Sequence, residues 1–141
     1  MKNEPLVIER TFKAPTNMVW RALTNNDEMK KWYFDIAAFR PEAGFEFQFT
    51  GGTDTGTYLH LCKVTQVIPG KKLAYSWRYD GYEGESEVTF ELFSRGDQTR
   101  LRLSHSGLET FPSDNPDFAS KNFVNGWASI IGESLKKYLE S

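Results

Sequence analysis

The sequence predicts an α+β fold in which a curved antiparallel sheet wraps around one long C-terminal helix. Three observations carry this. Apolar residues recur at helical spacing from about Pro116 to Glu140. Alternation with a period of two fills most of the chain between residues 44 and 106, and two short helical patterns follow the first strand. At about 100° per residue, Phe123, Trp127, Ile130, Ile131, Ser134 and Tyr138 share one face of the final helix, opposite Asn122, Asn125, Ser129, Glu133, Lys136 and Glu140. A helix so wide on its apolar side needs a large partner, and the sheet is the one the chain supplies.

Leu6 to Lys13 reads as a strand with Leu6, Ile8 and Phe12 inward. Ala14-Pro15-Thr16 breaks it, and Thr16 or Asn17 is placed to cap a short helix carrying Met18, Val19, Ala22 and Leu23. A second short helix spans Asp27 to Trp32, with Asn26 as its expected cap and Met29 and Trp32 as anchors. Ile36 to Phe39 is expected as a brief strand, and Pro41 to Gly44 as a turn. Phe45, Phe47 and Phe49 alternate with polar residues, giving a strand with one wet face. A loop tip follows at Gly51-Gly52, Asp54 and Gly56. Thr57 to Ile68 is a long strand, in which Leu59 and Leu61 share parity with Lys63, suggesting a bulge or bend near them. Pro69-Gly70 turns the chain into the alternating Leu73, Tyr75, Trp77 and Tyr79. Residues 80–84 form a loop before Val88, Phe90 and Leu92; Arg95-Gly96-Asp97 signals a tight hairpin into Leu101, Leu103 and His105. Glu91 should lie across from Arg100 or Arg102 on the wet face. After a loop carrying Phe111 and Pro112, Asn115-Pro116-Asp117 has the capping chemistry of a helix start.

Length and composition bound the function. The 141 residues are expected to form one domain, long enough for a sizeable core. Aromatics make up 15% of the chain, with four Trp and eleven Phe, more large apolar volume than a plain core of this size requires. A net charge of −2 without a basic run argues against nucleic-acid binding. The single cysteine, Cys62, excludes an intrachain disulfide. Residues Met1 to Pro5 have no apolar signal core and no stretch approaches a membrane span, so a cytoplasmic protein is expected.

An ordered series of short matches resembles the activator of heat-shock protein 90 ATPase homologue family. It comprises Phe12-Lys13-Ala14-Pro15 with Val19-Trp20 and Leu23, then Lys31-Trp32, Gly44-Phe45-Glu46-Phe47, Val64 to Pro69, and Lys72 to Trp77. Val88 to Leu92, Thr99-Arg100-Leu101, His105-Ser106-Gly107 and Gly126-Trp127 complete it. The family's usual paired glycine is Ala43-Gly44 here, and Tyr33 stands where a second Trp is common. The resemblance implies the START-like (SRPBCC) superfamily and its helix-grip fold, with a cavity between the sheet and the C-terminal helix. It also raises a chaperone-interacting role. The eukaryotic co-chaperone has a separate N-terminal domain that this sequence does not contain, so chaperone activation is not expected.

Candidate site residues follow from strand and helix parity. Phe47, Tyr75, Trp77, Phe90, Phe123, Trp127, Ile131 and Tyr138 are the expected walls of a ligand pocket, with Ser134 and His105 as polar tips beside the Tyr75, Tyr138 and Trp127 polar atoms. The same residues also serve as ordinary core packing, and the resemblance favours the pocket. Phe111 and Pro112 are expected as a lid or a plug. His105 reads either as a general base or ligand anchor, or as a neutral histidine bonded within the core. His60 is expected to be structural, and Cys62 a small buried hydrophobe. One Cys and two His without close pairing argue against a metal site, and no cofactor is implied. The glycines at 51, 52 and 56 lack phosphate-cradling spacing, and no G-x-S-x-G is present. The leading expectation is a non-catalytic binder of a small hydrophobic or amphipathic ligand. A cyclase or hydrolase using His105 or a tyrosine, and a chaperone-interacting module, are the alternatives.

Overall fold

In the computed structural model, residues 5–34, 36–53 and 56–140 are described; Met1 to Glu4 and the loop residue Asp54 lie outside the described residues. Strand β1 (Leu6–Phe12) leads through α1 (Thr16–Thr24) and α2 (Asn26–Trp32) into β2 (Glu46–Thr53), β3 (Gly56–Ile68), β4 (Lys72–Tyr79), β5 (Ser86–Arg95) and β6 (Gln98–Ser106). The six strands form one antiparallel sheet in the order β1-β6-β5-β4-β3-β2. The first strand therefore pairs with the last, Leu6 lying opposite His105 and Phe12 opposite Thr99.

Alternation sets the inner face. Val88, Phe90 and Leu92 on β5 and Leu101, Leu103 and His105 on β6 are buried, while the residues between them face outward. On that outer face Glu91 stands opposite Arg102 as the register requires, but Arg102 Nε donates to Glu9 of β1 at 2.7 Å. In β3 the alternation is regular through His60, Cys62 and Val64, all buried, with Leu59 and Leu61 on the outer side. The irregularity comes later than the leucines suggested: the register with β4 shifts between Val64 and Gln66.

Several local expectations change. No side chain caps α1; the Pro15 carbonyl accepts from the Met18 and Val19 amides, and Thr16 instead meets Thr99 Oγ1 at 3.2 Å. Asn25, not Asn26, caps α2, its Oδ1 accepting from the Glu28 amide at 3.1 Å. Asn26 Nδ2 donates to the Ile36 carbonyl, and the Ile36 amide to the Phe34 carbonyl. These local bonds replace a ladder, so 36–39 is irregular rather than a strand, with Ile36 and Phe39 as buried anchors.

Asn115 does cap, with Oδ1 accepting from the Asp117 amide at 2.9 Å, but it opens a short 3₁₀ turn, Pro116–Phe118. Ala119 is extended, and the helix proper starts beyond it as α3 (Ser120–Ser129). The rod continues through a π-helical stretch (Ile130–Leu135) into α4 (Lys136–Glu140). Its buried series is Phe123, Trp127, Ile131, Leu135 and Leu139, a strict four-residue repeat. In a pure α-helix each four-residue step drifts by about 40°, so the series would rotate off the core by about 160°. The wider π turns cancel much of that drift. Ser134 and Tyr138, expected inward, are therefore half-buried at the flank, where Leu135 and Leu139 take the core positions.

Candidate functional site

A cavity of about 330 Å³ opens between the sheet and the first half of the C-terminal helix. Strands β2, β3 and β4 contribute Gly51, Tyr58, His60, Trp77 and Tyr79. The segment after α2 adds Phe34, and the 3₁₀ turn adds Asp117 and Phe118. Asn122, Phe123, Gly126, Trp127, Ser129 and Ile130 close it from the helix. The wall is predominantly aromatic. Its volume lies at the small end of the range for ligand sites, about 300–1,000 Å³.

Local sequence explains this wall. Tyr58 and His60 lie two residues apart on β3, and Trp77 and Tyr79 likewise on β4, so each pair reaches the same face. His60 is directly opposite both Tyr79 and Phe49, and it stacks on Phe49 with ring centroids 4.5 Å apart. Gly51 makes the crowding possible: a Cβ there would fall 3.0 Å from Phe34 and 3.3 Å from His60. At Gly126 the reverse holds. A Cβ there would meet nothing within 4 Å, so this glycine leaves the helix side of the cavity open.

Directed hydrogen bonds fix the back of the cavity. The Trp127 indole N–H donates to His105 Nδ1 at 3.0 Å. An indole nitrogen only donates, so Nδ1 carries no proton and the neutral imidazole holds it on Nε2. Nε2 lies 2.8 Å from Ser86 Oγ, which donates onward to the Trp77 carbonyl at 2.8 Å. Both cavity tryptophans are thus joined through His105 and Ser86, neither of which lines the cavity. Burial pushes the His105 pKa down to about 3. With both nitrogens engaged and the ring neutral, His105 is a bonded core histidine and has no lone pair to offer a substrate.

The other ionisable groups are equally quiet. His60 Nδ1 lies 3.0 Å from the Tyr58 carbonyl, which can only accept, so Nδ1 bears the proton; burial lowers the His60 pKa to about 4. The Trp77 indole donates to the Tyr79 hydroxyl at 2.9 Å, and burial pushes the Tyr79 pKa up. Tyr33 and Tyr75 share a 2.7 Å hydroxyl contact in the core, and burial raises both. Burial likewise raises the Cys62 thiol. At the rim, Tyr58 donates to Asp117 Oδ2 at 2.6 Å and accepts from Asn115 Nδ2 at 3.3 Å, which fastens the 3₁₀ turn to β3. Among the described residues no three His, Cys, Asp or Glu side chains converge as metal ligands would.

Of the residues expected to form the pocket, the structure brings Trp77, Phe123 and Trp127 to this cavity. Tyr75, Phe90, His105 and Ile131 are buried in the core behind it. Phe47 packs against Phe39 and Tyr75 further along β2. Ser134 donates to the Trp32 carbonyl at 2.6 Å and Tyr138 to Glu28 at 2.8 Å, so both tie the helix to α2. Phe111 is buried against Tyr79, Phe118 and Phe123, and with Pro112 it borders a separate surface hollow. Neither residue lines the cavity. Sequence reasoning missed Phe34, Tyr58, Phe118 and Gly126. For Tyr58 the signal was available in its two-residue spacing from His60, whereas Phe34 and Phe118 lie in irregular segments without a period.

No helix among the described residues is long and apolar enough to cross a membrane. No curated protein matches the sequence. Among solved structures, CV1439 from Chromobacterium violaceum superposes with a TM-score of 0.82 at 19% identity, covering 100% of this chain and 99% of its own. MLL2253 from Mesorhizobium loti reaches 0.77 at 29% identity, with 96% of each chain covered. DynU16, from the dynemicin biosynthetic locus, gives 0.79 at 22% identity over 98% of this chain, which spans only 48% of DynU16. These likenesses fit a helix-grip sheet and helix of the START-like superfamily. Residues 13–140 match the protein family described as Activator of Hsp90 ATPase homolog 1-like protein, and the chain belongs to that family.

Proposed function

We propose that this protein binds a small, flat, largely apolar ligand in the cavity between β2–β4 and the first half of the C-terminal helix, without catalysing a reaction on it. The observation that carries this is the 330 Å³ space itself, walled by Phe34, Trp77, Phe118 and Trp127 with few polar atoms. Burial of ring surface would drive binding at about 25 cal/mol per Å² before ordering costs. The non-catalytic part rests on the ionisable groups. A histidine with a pKa near 4 is a weak base at neutral pH, and tyrosines raised by burial are weak acids. DynU16, from a biosynthetic locus, supports a small-molecule ligand by analogy of fold alone.

The experiment is a tryptophan-fluorescence titration with native mass spectrometry against a panel of two- and three-ring aromatic metabolites. Trp77 and Trp127 report directly on occupancy. Gly126→Leu places a side chain in the open space of the wall and improves helix propensity by about 0.5–1 kcal/mol, so it should fold and block binding. Binding unaffected by this substitution would place the ligand elsewhere. Turnover of a bound compound would overturn the non-catalytic reading.

A further inference from the structure

We infer that the cavity selects ligands that present an uncharged hydrogen-bond donor, a ring N–H or a hydroxyl on an aromatic body, to His60 Nε2. This rests on the cavity reading above and adds the polar group that its occupant carries. Several observations converge on that nitrogen. His60 is only 6% exposed and forms part of the cavity wall. Its proton is fixed at Nδ1 by the Tyr58 carbonyl, 3.0 Å away. The Phe49 carbonyl is a second acceptor beside the ring; it belongs to the residue directly opposite in the ladder and so lies at the same backbone end. Nε2, at the far end of the ring, therefore carries a lone pair.

No donor from the protein meets this lone pair. Among the described residues no hydrogen bond reaches His60 Nε2, and the one fully enclosed side-chain nitrogen or oxygen without a partner is Arg100 Nε. Nε2 is thus not sealed in the core and opens onto the space that His60 lines. Its bonded neighbour Cε1 faces the same way, 3.3 Å from the position of a Cβ on Gly51, another residue of the wall. His105 is the contrast, with Trp127 and Ser86 engaging both its nitrogens. The direction of the lone pair is fixed by packing. The His60 ring stacks on Phe49 at 4.5 Å and meets Trp77 and Tyr79 in T-shaped contacts at 4.9 and 4.8 Å. A rigid acceptor in a mostly apolar wall orients a ligand through one bond, and a ligand without a donor leaves that acceptor desolvated and unmet.

The test compares indole with benzofuran, which has the same two-ring frame but an oxygen in place of the N–H, by NMR titration of the unsubstituted protein labelled with nitrogen-15. Indole should bind about three- to tenfold more tightly. The His60 Nε2 resonance should lie in the unprotonated range in the free protein and move on addition of indole but not of benzofuran. His60→Phe keeps a ring on Phe49 and removes the acceptor, so the ratio of the two affinities should fall to about one or below. Benzofuran binding as tightly as indole would overturn the donor selectivity while leaving the cavity reading intact. So would a proton found on Nε2 in the free protein, or binding of the aromatic panel without binding of indole. Failure of indole, benzofuran and the whole panel would overturn both.

Discussion

Two buried histidines make the fold acid-sensitive. His60 and His105 have pKa values lowered by burial from 6.5 to about 4 and about 3. In the unfolded chain both take up protons as the pH falls through 6.5, whereas in the folded protein they stay neutral. Stability contributed by the neutral rings is therefore complete above pH 6.5 and declines as the pH falls towards the folded values. Between pH 6.5 and pH 5 the expected loss is about 2 kcal/mol for each histidine. Urea midpoints should fall over this window while NMR shows both imidazoles uncharged and His105 protonated on Nε2. An imidazole titrating near 6.5 in the folded protein would contradict the burial argument. The inward direction of His105 was legible from its parity with Leu101 and Leu103. Its bonds to Trp127 and Ser86 were not, because they join three elements whose relative placement no local pattern encodes.

The phase that the π stretch gives the C-terminal helix has a measurable worth. An alanine inserted after Gly132 would rotate everything beyond it by about 100°. Leu135 and Leu139 would leave the core, at about 2–5 kcal/mol for each buried leucine lost. Urea denaturation should show a loss of that order, and a loss under about 1 kcal/mol would mean that the helix re-phases by another route. The existence of this helix was legible, and so was most of the meander, because apolar period alone defines them. The inner stripe past Ile131 was misread because it was projected at a uniform 100°. The four-residue repeat of Phe123, Trp127, Ile131, Leu135 and Leu139 held the correction, but a π turn declares itself only against a packed sheet. The misplaced caps have a similar origin: Asn25 and Asn26 are both competent, and the Ile36 carbonyl decides between them.

Sheet and helix share one cluster of buried side chains running from Ile8 to Leu139. Unfolding should therefore be cooperative, with far-UV circular dichroism, tryptophan fluorescence and near-UV signals falling together in urea. A separate early transition in any of them would show that part of the molecule melts alone. The layered architecture was legible in the sequence because each element's wet and dry faces were legible. The cavity was only half legible. Its tryptophans were named, but its place at the β2–β4 end depends on where bulky side chains fail to meet, which is a property of the assembled volume. The pair of cavity tryptophans, bridged from behind by His105 and Ser86, has a consequence for divergence within the family. A substitution at His105 would free the Trp127 indole to swing, and one at Ser86 would loosen the imidazole that holds it, neither touching the cavity surface. For a cavity that binds as proposed, relatives with identical linings are expected to differ in what they accept, their preferences written one layer beneath the wall.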